Sequence, residues 1–327
     1  MRTFWERYGD GDPTVLLLPP WSIVHSRCWK AQIPYLARHY RVVTFDPRGN
    51  GKSDRPRGAT AYSWRELEAD ALAVLDASDT DRAVVVGVSR GANWALGLAA
   101  RHPDRSLGAV FAAVSLPLTA WPPWDYSARF LDEKSSARRI LLTLESAARS
   151  APLLARSRAM RMFARRVSFF EGSRKFNADY WKADFQGFLE WFFSTIEVVE
   201  RHSTRLIESL VEWGLETDPD ILAATYRADV LSRDEIAELC TAVRCPVLVV
   251  HGTDDVTCPI EWGEELARLL RTDLTRIDGG DHLLIGRRPV AFNLAVREFV
   301  ERLRAAETRE KALVREPAPA GRREPAA

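Results

Sequence analysis

The apolar run Ala83-Val84-Val85-Val86 passes at once into Gly87-Val88-Ser89-Arg90-Gly91 and then into Ala92-Asn93-Trp94-Ala95-Leu96-Gly97-Leu98-Ala99-Ala100, so a strand, a tight turn and a helix follow one another without a linker. Few architectures accept that succession. The chain must reverse sharply over a serine, and the glycines on either side tolerate backbone positions that a side chain would block. The helix then aims its first free N–H groups back at the turn, where they favour negative charge. This is the layout of a nucleophile elbow, and it makes Ser89 a candidate nucleophile. The competing reading is a Gly-Ser turn that merely ends a strand.

The rest of the chain repeats the same alternation. Thr14–Leu18 reads as a buried strand stopped by Pro19-Pro20, and Arg41–Phe45 as another stopped by Asp46-Pro47-Arg48-Gly49. Gly108–Val114, Pro246–Val250 and Leu274–Ile277 read alike. Between them a short helix is expected around Trp29 to His39. A longer one opens at the S-x-x-E spacing of Ser63-Trp64-Arg65-Glu66 and ends near Ser78, with Leu67, Ala71, Leu72 and Leu75 on its apolar face. Strands alternating with helices predict the α/β class, with a mainly parallel sheet covered on both faces.

From about Thr119 to Arg244 the rhythm becomes helical, and Trp181, Phe185, Phe188, Leu189, Trp191, Phe192 and Phe193 crowd together. The expected organisation is therefore a core of residues 1–118 and 245–305, an inserted helical cap at 119–244, and a tail at 306–327. The tail is charged and Pro/Ala-rich without apolar periodicity, and is read as disordered.

Composition removes several function classes. A formal net charge of +1 gives no global pull toward nucleic acid or an acidic membrane. Cys28, Cys240, Cys245 and Cys258 form no C-x-x-C pair and have no histidine at ligand spacing, so no metal site and no disulfide framework is expected, and no cofactor is expected because the strand-Gly-helix turn carries Ser89 in place of a dinucleotide fingerprint. The N-terminus, Met1 to Arg7, lacks a secretory pattern, and no run of about 18 apolar residues occurs that would span a membrane. Reduced thiols and a cytoplasmic location follow as expectations. Arg139, Arg149, Arg156, Arg158, Arg161, Arg165, Arg166 and Arg174 make the stretch from Arg138 to Lys175 basic. It reads as a solvated face, with contact to an anionic membrane surface as the alternative. Oligomeric state stays open.

A serine hydroxyl needs a histidine base and an acid to orient that base. Both follow in order: His251-Gly252-Thr253-Asp254-Asp255-Val256-Thr257-Cys258-Pro259 after one strand, and Gly279-Gly280-Asp281-His282 after the next. With these motifs the chain resembles the α/β-hydrolase fold family. The G-x-x-D-x-x-x-P pattern from Gly252 to Pro259 places the acid at Asp255, with its neighbour Asp254 as rival. The turn before the last helix places the base at His282, with Asp281 where the family has a second glycine. Asp46 to Pro56 matches the family's D-x-R-G-x-G-x-S-D-x-P loop. The resemblance implies a Ser89–Asp255–His282 triad and an eight-stranded sheet, although Thr3 to Tyr8 offers material for only one strand ahead of Thr14.

It also implies an oxyanion hole made of two backbone amides. One belongs to Arg90, after the nucleophile. The other falls to Trp21, because Pro19 and Pro20 have no N–H to donate. Arg90 itself is expected either to pair with a cap acid or to bind a substrate carboxylate. His251, at a strand end, reads as packed and hydrogen-bonded. His39, His102 and His202 carry no signature. His25, Trp181 and Trp191 are the candidates for the substrate pocket.

The function expected is hydrolysis of an ester of a largely apolar small molecule through an acyl-enzyme. The alternatives are a carbon–carbon bond hydrolase of the meta-cleavage-product type, and a ligand-binding protein or pseudoenzyme on the same fold, for which the altered Pro19-Pro20 loop speaks.

Overall fold

The computed structural model describes residues 1–116, 118, 175, 178–197, 203–228 and 231–315. Seven strands form one sheet: β1 (Trp5–Tyr8), β2 (Thr14–Leu18), β3 (Arg41–Phe45), β4 (Ala83–Val88), β5 (Ser106–Ala112), β6 (Val247–Gly252) and β7 (Leu274–Ile277), in the order β1-β3-β2-β4-β5-β6-β7. All neighbours run parallel except β1, which lies antiparallel against β3 at the edge. The eighth strand implied by the resemblance does not occur among the described residues, where β1, paired along β3 over four positions, is the one strand ahead of β2.

Each strand sends alternate residues to opposite faces, as the two-residue period requires. Val15, Leu17, Val84, Val86, Val110 and Val250 pack on one side. Leu16, Leu18, Ala83, Val85, Phe111 and Val249 pack on the other. Both faces are buried, which is why the strands read as continuous apolar runs.

Eleven helices are described. Those of the N-terminal half are α1 (Ile33–Leu36), α2 (Trp64–Ala77) and α3 (Arg90–Arg101). Between β5 and β6 come α4 (Ala178–Ala183), α5 (Phe185–Trp191), which runs on into a π-helical turn over Phe192–Glu197, α6 (Thr204–Gly214) and α7 (Pro219–Arg227). Then come α8 (Arg233–Ala242), α9 (Ile260–Leu270), α10 (Leu284–Arg287) and α11 (Pro289–Arg315).

Helices α2, α3, α8 and α9 cover one sheet face through Leu67, Ala71, Ala95, Ile236 and Trp262. On the other face Phe292, Val296 and Phe299 of α11 join Trp181, Phe188, Phe192 and Phe193. Each large side chain fully withdrawn from water there, such as Trp29 or Trp181, contributes about 1.5–3 kcal/mol.

Two helices and one helix cap differ from the sequence reading. Helix α8, which the sequence reading placed within 119–244, packs in one layer with α3 and α9 through Ile236 and Cys240. Helix α11 continues through Arg315, so 306–315 is helical. Its run of Ala, Glu, Lys and Arg favours a solvated helix by propensity, with no apolar stripe to announce it. At α2, Ser63 Oγ accepts from Glu66 N–H as foreseen, but the Glu66 carboxylate turns to Arg48 instead of closing a capping box. The basic segment 138–174 and the tail residues 316–327 lie outside the described residues. No described helix is long and apolar enough to cross a membrane.

Candidate active site

The turn between β4 and α3 holds Ser89 at φ 55°, in the left-handed region that residues with a side chain rarely occupy. Its amide donates to Ala112 O at 2.9 Å, which ties the turn to the end of β5. Both flanking glycines are required by close approach. A Cβ on Gly87 would lie 2.3 Å from Gly91 O, and one on Gly91 would lie 2.6 Å from Pro19 O.

The loops after β6 and β7 bring the other two candidates to this serine. His282 Nε2 lies 2.9 Å from Ser89 Oγ, and His282 Nδ1 lies 2.8 Å from Asp255 Oδ2. Asp255, not Asp254, faces the histidine; Asp254 accepts from Thr253 Oγ1 instead. The Asp255 side chain is wholly buried. Burial alone would raise its carboxyl pKa, but His282 and His251 outweigh that penalty and hold it well below the usual carboxylate range.

Asp255 Oδ1 accepts two backbone N–H groups, from Thr257 at 2.9 Å and Cys258 at 2.8 Å. A carboxylate anchored in this way keeps a fixed aim. His282 must then carry its proton on Nδ1 and leave Nε2 free to accept from Ser89, the arrangement that turns a hydroxyl into a nucleophile. His251 is packed and hydrogen-bonded as expected, and one of its partners is Asp255 itself: Nε2 lies 3.3 Å from Oδ2 and 3.0 Å from Cys258 O.

In front of Ser89 lies a cavity of about 60 Å³ whose walls include Trp21, Val24, Phe192, Phe193, Leu210 and Ile285. Cys28 also lines it, and burial pushes the Cys28 thiol up, so that it presents a neutral, apolar surface.

The three side chains expected to line the pocket do not line this cavity. Trp181 is fully buried on α4, its ring 4.5 Å from Phe188 and 5.9 Å from Tyr226. Trp191 is half-buried against Phe188. His25 sits behind the cavity wall, with Nε2 3.3 Å from Glu216 Oε1 and its ring beside Trp213. Burial there lowers the His25 pKa, and Glu216 and Asp46 only partly offset it. Phe192 and Phe193 were visible in the sequence as part of the aromatic crowd. What selects them is the π-helical turn, which presents two consecutive residues to the cavity, a local geometry that periodicity does not report.

The Trp21 indole forms part of the cavity wall, and its Nε1–H donates to Thr225 Oγ1 of α7 at 2.8 Å, fastening the loop after β2 to α7. Arg90 meets α7 and the Trp21 ring, and no acid pairs with it among the described residues. It donates to Thr225 O at 3.3 Å and lies over the rings of Tyr226 (4.5 Å) and Trp21 (5.3 Å).

A family model described as the alpha/beta hydrolase fold matches residues 13–289. The chain belongs to the α/β-hydrolase family. It is 24% identical over 298 residues to 3-oxoadipate enol-lactonase 2 of Acinetobacter baylyi, covering 91% of this chain and 92% of that one. A shorter stretch of 90 residues is 44% identical to epoxide hydrolase B of Mycobacterium tuberculosis, which is 27% of this chain and only 25% of the relative. Among solved structures, the esterase EaEST from Exiguobacterium antarcticum superposes with a TM-score of 0.68 at 18% identity, covering 91% of this chain and 95% of that one. The last comparison shares the fold.

Among the described residues no group of His, Cys, Asp and Glu could hold a metal ion. All four cysteines are free thiols.

Proposed function

We propose that this α/β-hydrolase is a serine hydrolase that cleaves esters of small, largely apolar molecules through an acyl-enzyme, acting in the cytoplasm without a cofactor. The observation that carries the proposal is the continuous line from Ser89 Oγ through His282 to the buried Asp255, opening on an apolar cavity.

In this reading Ser89 Oγ attacks the ester carbonyl while His282 Nε2 takes its proton, and Asp255 stabilises the imidazolium through Nδ1. The Trp21 and Arg90 amides receive the oxyanion, each worth about 3 kcal/mol in the transition state. Collapse of the tetrahedral species expels the alcohol, protonated by His282. Water activated by the same histidine then releases the acid.

The carbon–carbon alternative draws no support from the site. Its acidic substrate calls for a cation, yet none of the described residues lining the cavity is a lysine or an arginine, and Arg90 is engaged with Thr225 and two rings.

The cavity is small. At about 60 Å³ it is well under the roughly 150 Å³ of an apolar cavity that admits benzene. Short acyl groups should therefore fit and long ones should not. With p-nitrophenyl esters of graded length, kcat/KM is expected to be highest for acetate to butyrate and to fall about tenfold or more by octanoate. Phe193→Ala should move the optimum toward longer chains. A steady rise of kcat/KM through octanoate in the wild type would contradict the assignment of this cavity as the acyl site.

A further inference from the structure

His251 is fully buried at the end of β6, and Nε2 faces two acceptors at once, Asp255 Oδ2 at 3.3 Å and Cys258 O at 3.0 Å. A ring nitrogen between two acceptor oxygens must carry the hydrogen. The opposite nitrogen, Nδ1, has no hydrogen-bond partner among the described residues, and a Cβ on Gly263 of α9 would lie 2.6 Å from it. A proton on Nδ1 would be buried and unsatisfied there, which costs about 1–3 kcal/mol. The ring is therefore held as the neutral Nε2–H tautomer, a donor aimed at the carboxylate.

The consequence lies in how Asp255 keeps its aim. The Thr257 and Cys258 amides hold Oδ1 alone. Without another anchor Oδ2 is held only by His282, whose ring must exchange protons with Ser89 during each turnover. His251 supplies an anchor that takes no part in that exchange. It also grips the backbone at Cys258, so one side chain secures both ends of the short loop that carries the acid.

We propose that His251 is a positioning residue, whose Nε2–H bridges the Asp255 carboxylate and the Cys258 carbonyl and so keeps Oδ2 directed at His282. The proposal rests on the reading of Ser89, His282 and Asp255 as the reacting set, and it deepens that reading by adding a second histidine that never touches the substrate.

Two amide variants separate the donor from the bulk of the ring. His251→Gln places an N–H close to the Nε2 position, whereas His251→Asn ends one bond short. In His251→Asn, kcat for p-nitrophenyl acetate should fall roughly 10- to 100-fold with KM nearly unchanged, and His251→Gln should recover most of that loss. The downfield proton resonance of His282 Nδ1–H should shift in His251→Asn and stay near the wild-type position in His251→Gln. Equal kcat in wild type and His251→Asn, or an equal loss in both variants, would overturn the proposal.

The wild-type protein gives a readout that needs no variant to fold. Nitrogen-15 NMR should find His251 protonated at Nε2 and bare at Nδ1, and the opposite tautomer would overturn the bridge. These resonances read the tie to Asp255 without turnover. If Ser89 proves unreactive toward a fluorophosphonate, that result counts against the hydrolase reading while the tautomer still decides the bridge.

Discussion

Ser89→Ala should abolish ester hydrolysis, lowering kcat by about a million-fold, because a nucleophile and its base act as a unit and the loss of one removes nearly all that the set contributes. The variant should remain folded. Its backbone keeps the amide bond to Ala112 O, and the close packing at Gly87 and Gly91 is untouched. The background expected to remain is what the proposed oxyanion-hole amides of Trp21 and Arg90, together with binding, supply. Asp255→Asn should cost less, about 10⁴-fold, since it keeps the shape of the acid while favouring the wrong tautomer of His282. Kinetics with p-nitrophenyl acetate, alongside thermal melting to confirm folding, measure both. Retention of more than about a hundredth of wild-type kcat in Ser89→Ala would mean that hydrolysis proceeds elsewhere.

The largest effect on stability should come from a residue with no chemical role. Arg48, in the loop after β3, is buried and donates to both Asp70 oxygens, from Nε at 2.7 Å and Nη2 at 2.8 Å, and to Glu66 Oε2 at 2.9 Å. Asp70 is buried as well. Burial raises its carboxyl pKa even against the pull of Arg48, a sign that the charge is held at a desolvation cost. Arg48→Met strands that carboxylate and should lower unfolding free energy by about 3–5 kcal/mol in a denaturant melt. The double variant Arg48→Met/Asp70→Leu should recover much of the loss, because it removes both charges together. A loss below about 1 kcal/mol would place the pair in the class of exposed ion pairs and contradict its structural role.

The sheet was legible because parallel strands buried on both faces leave largely apolar runs, and Thr14–Leu18, Arg41–Phe45 and Ala83–Val88 fall where those runs lie. The order of Ser89, Asp255 and His282 was legible because loops after successive strands gather at one edge of such a sheet. The cap was harder to read. Its aromatics announce a core, but helical spacing does not say which side of each helix meets the cavity, so Trp181 looked as eligible as Phe193. Arg90 finds Thr225 and Tyr226 in α7, more than a hundred residues along the chain, a pairing that no local pattern encodes. His251 read as a structural histidine because the meaning of its position depends on the loop folding back over four residues to place Asp255 beside it. The end of α11 escaped notice for a different reason, since a helix held by propensity on a solvated face leaves no apolar periodicity.

The central claim is that Ser89 is an activated nucleophile, and covalent labelling tests it most directly. The folded wild-type protein treated with a fluorophosphonate should gain one phosphonyl group, located at Ser89 by peptide mass spectrometry and absent from Ser89→Ala. Folded protein that carries no label at Ser89 would contradict the account.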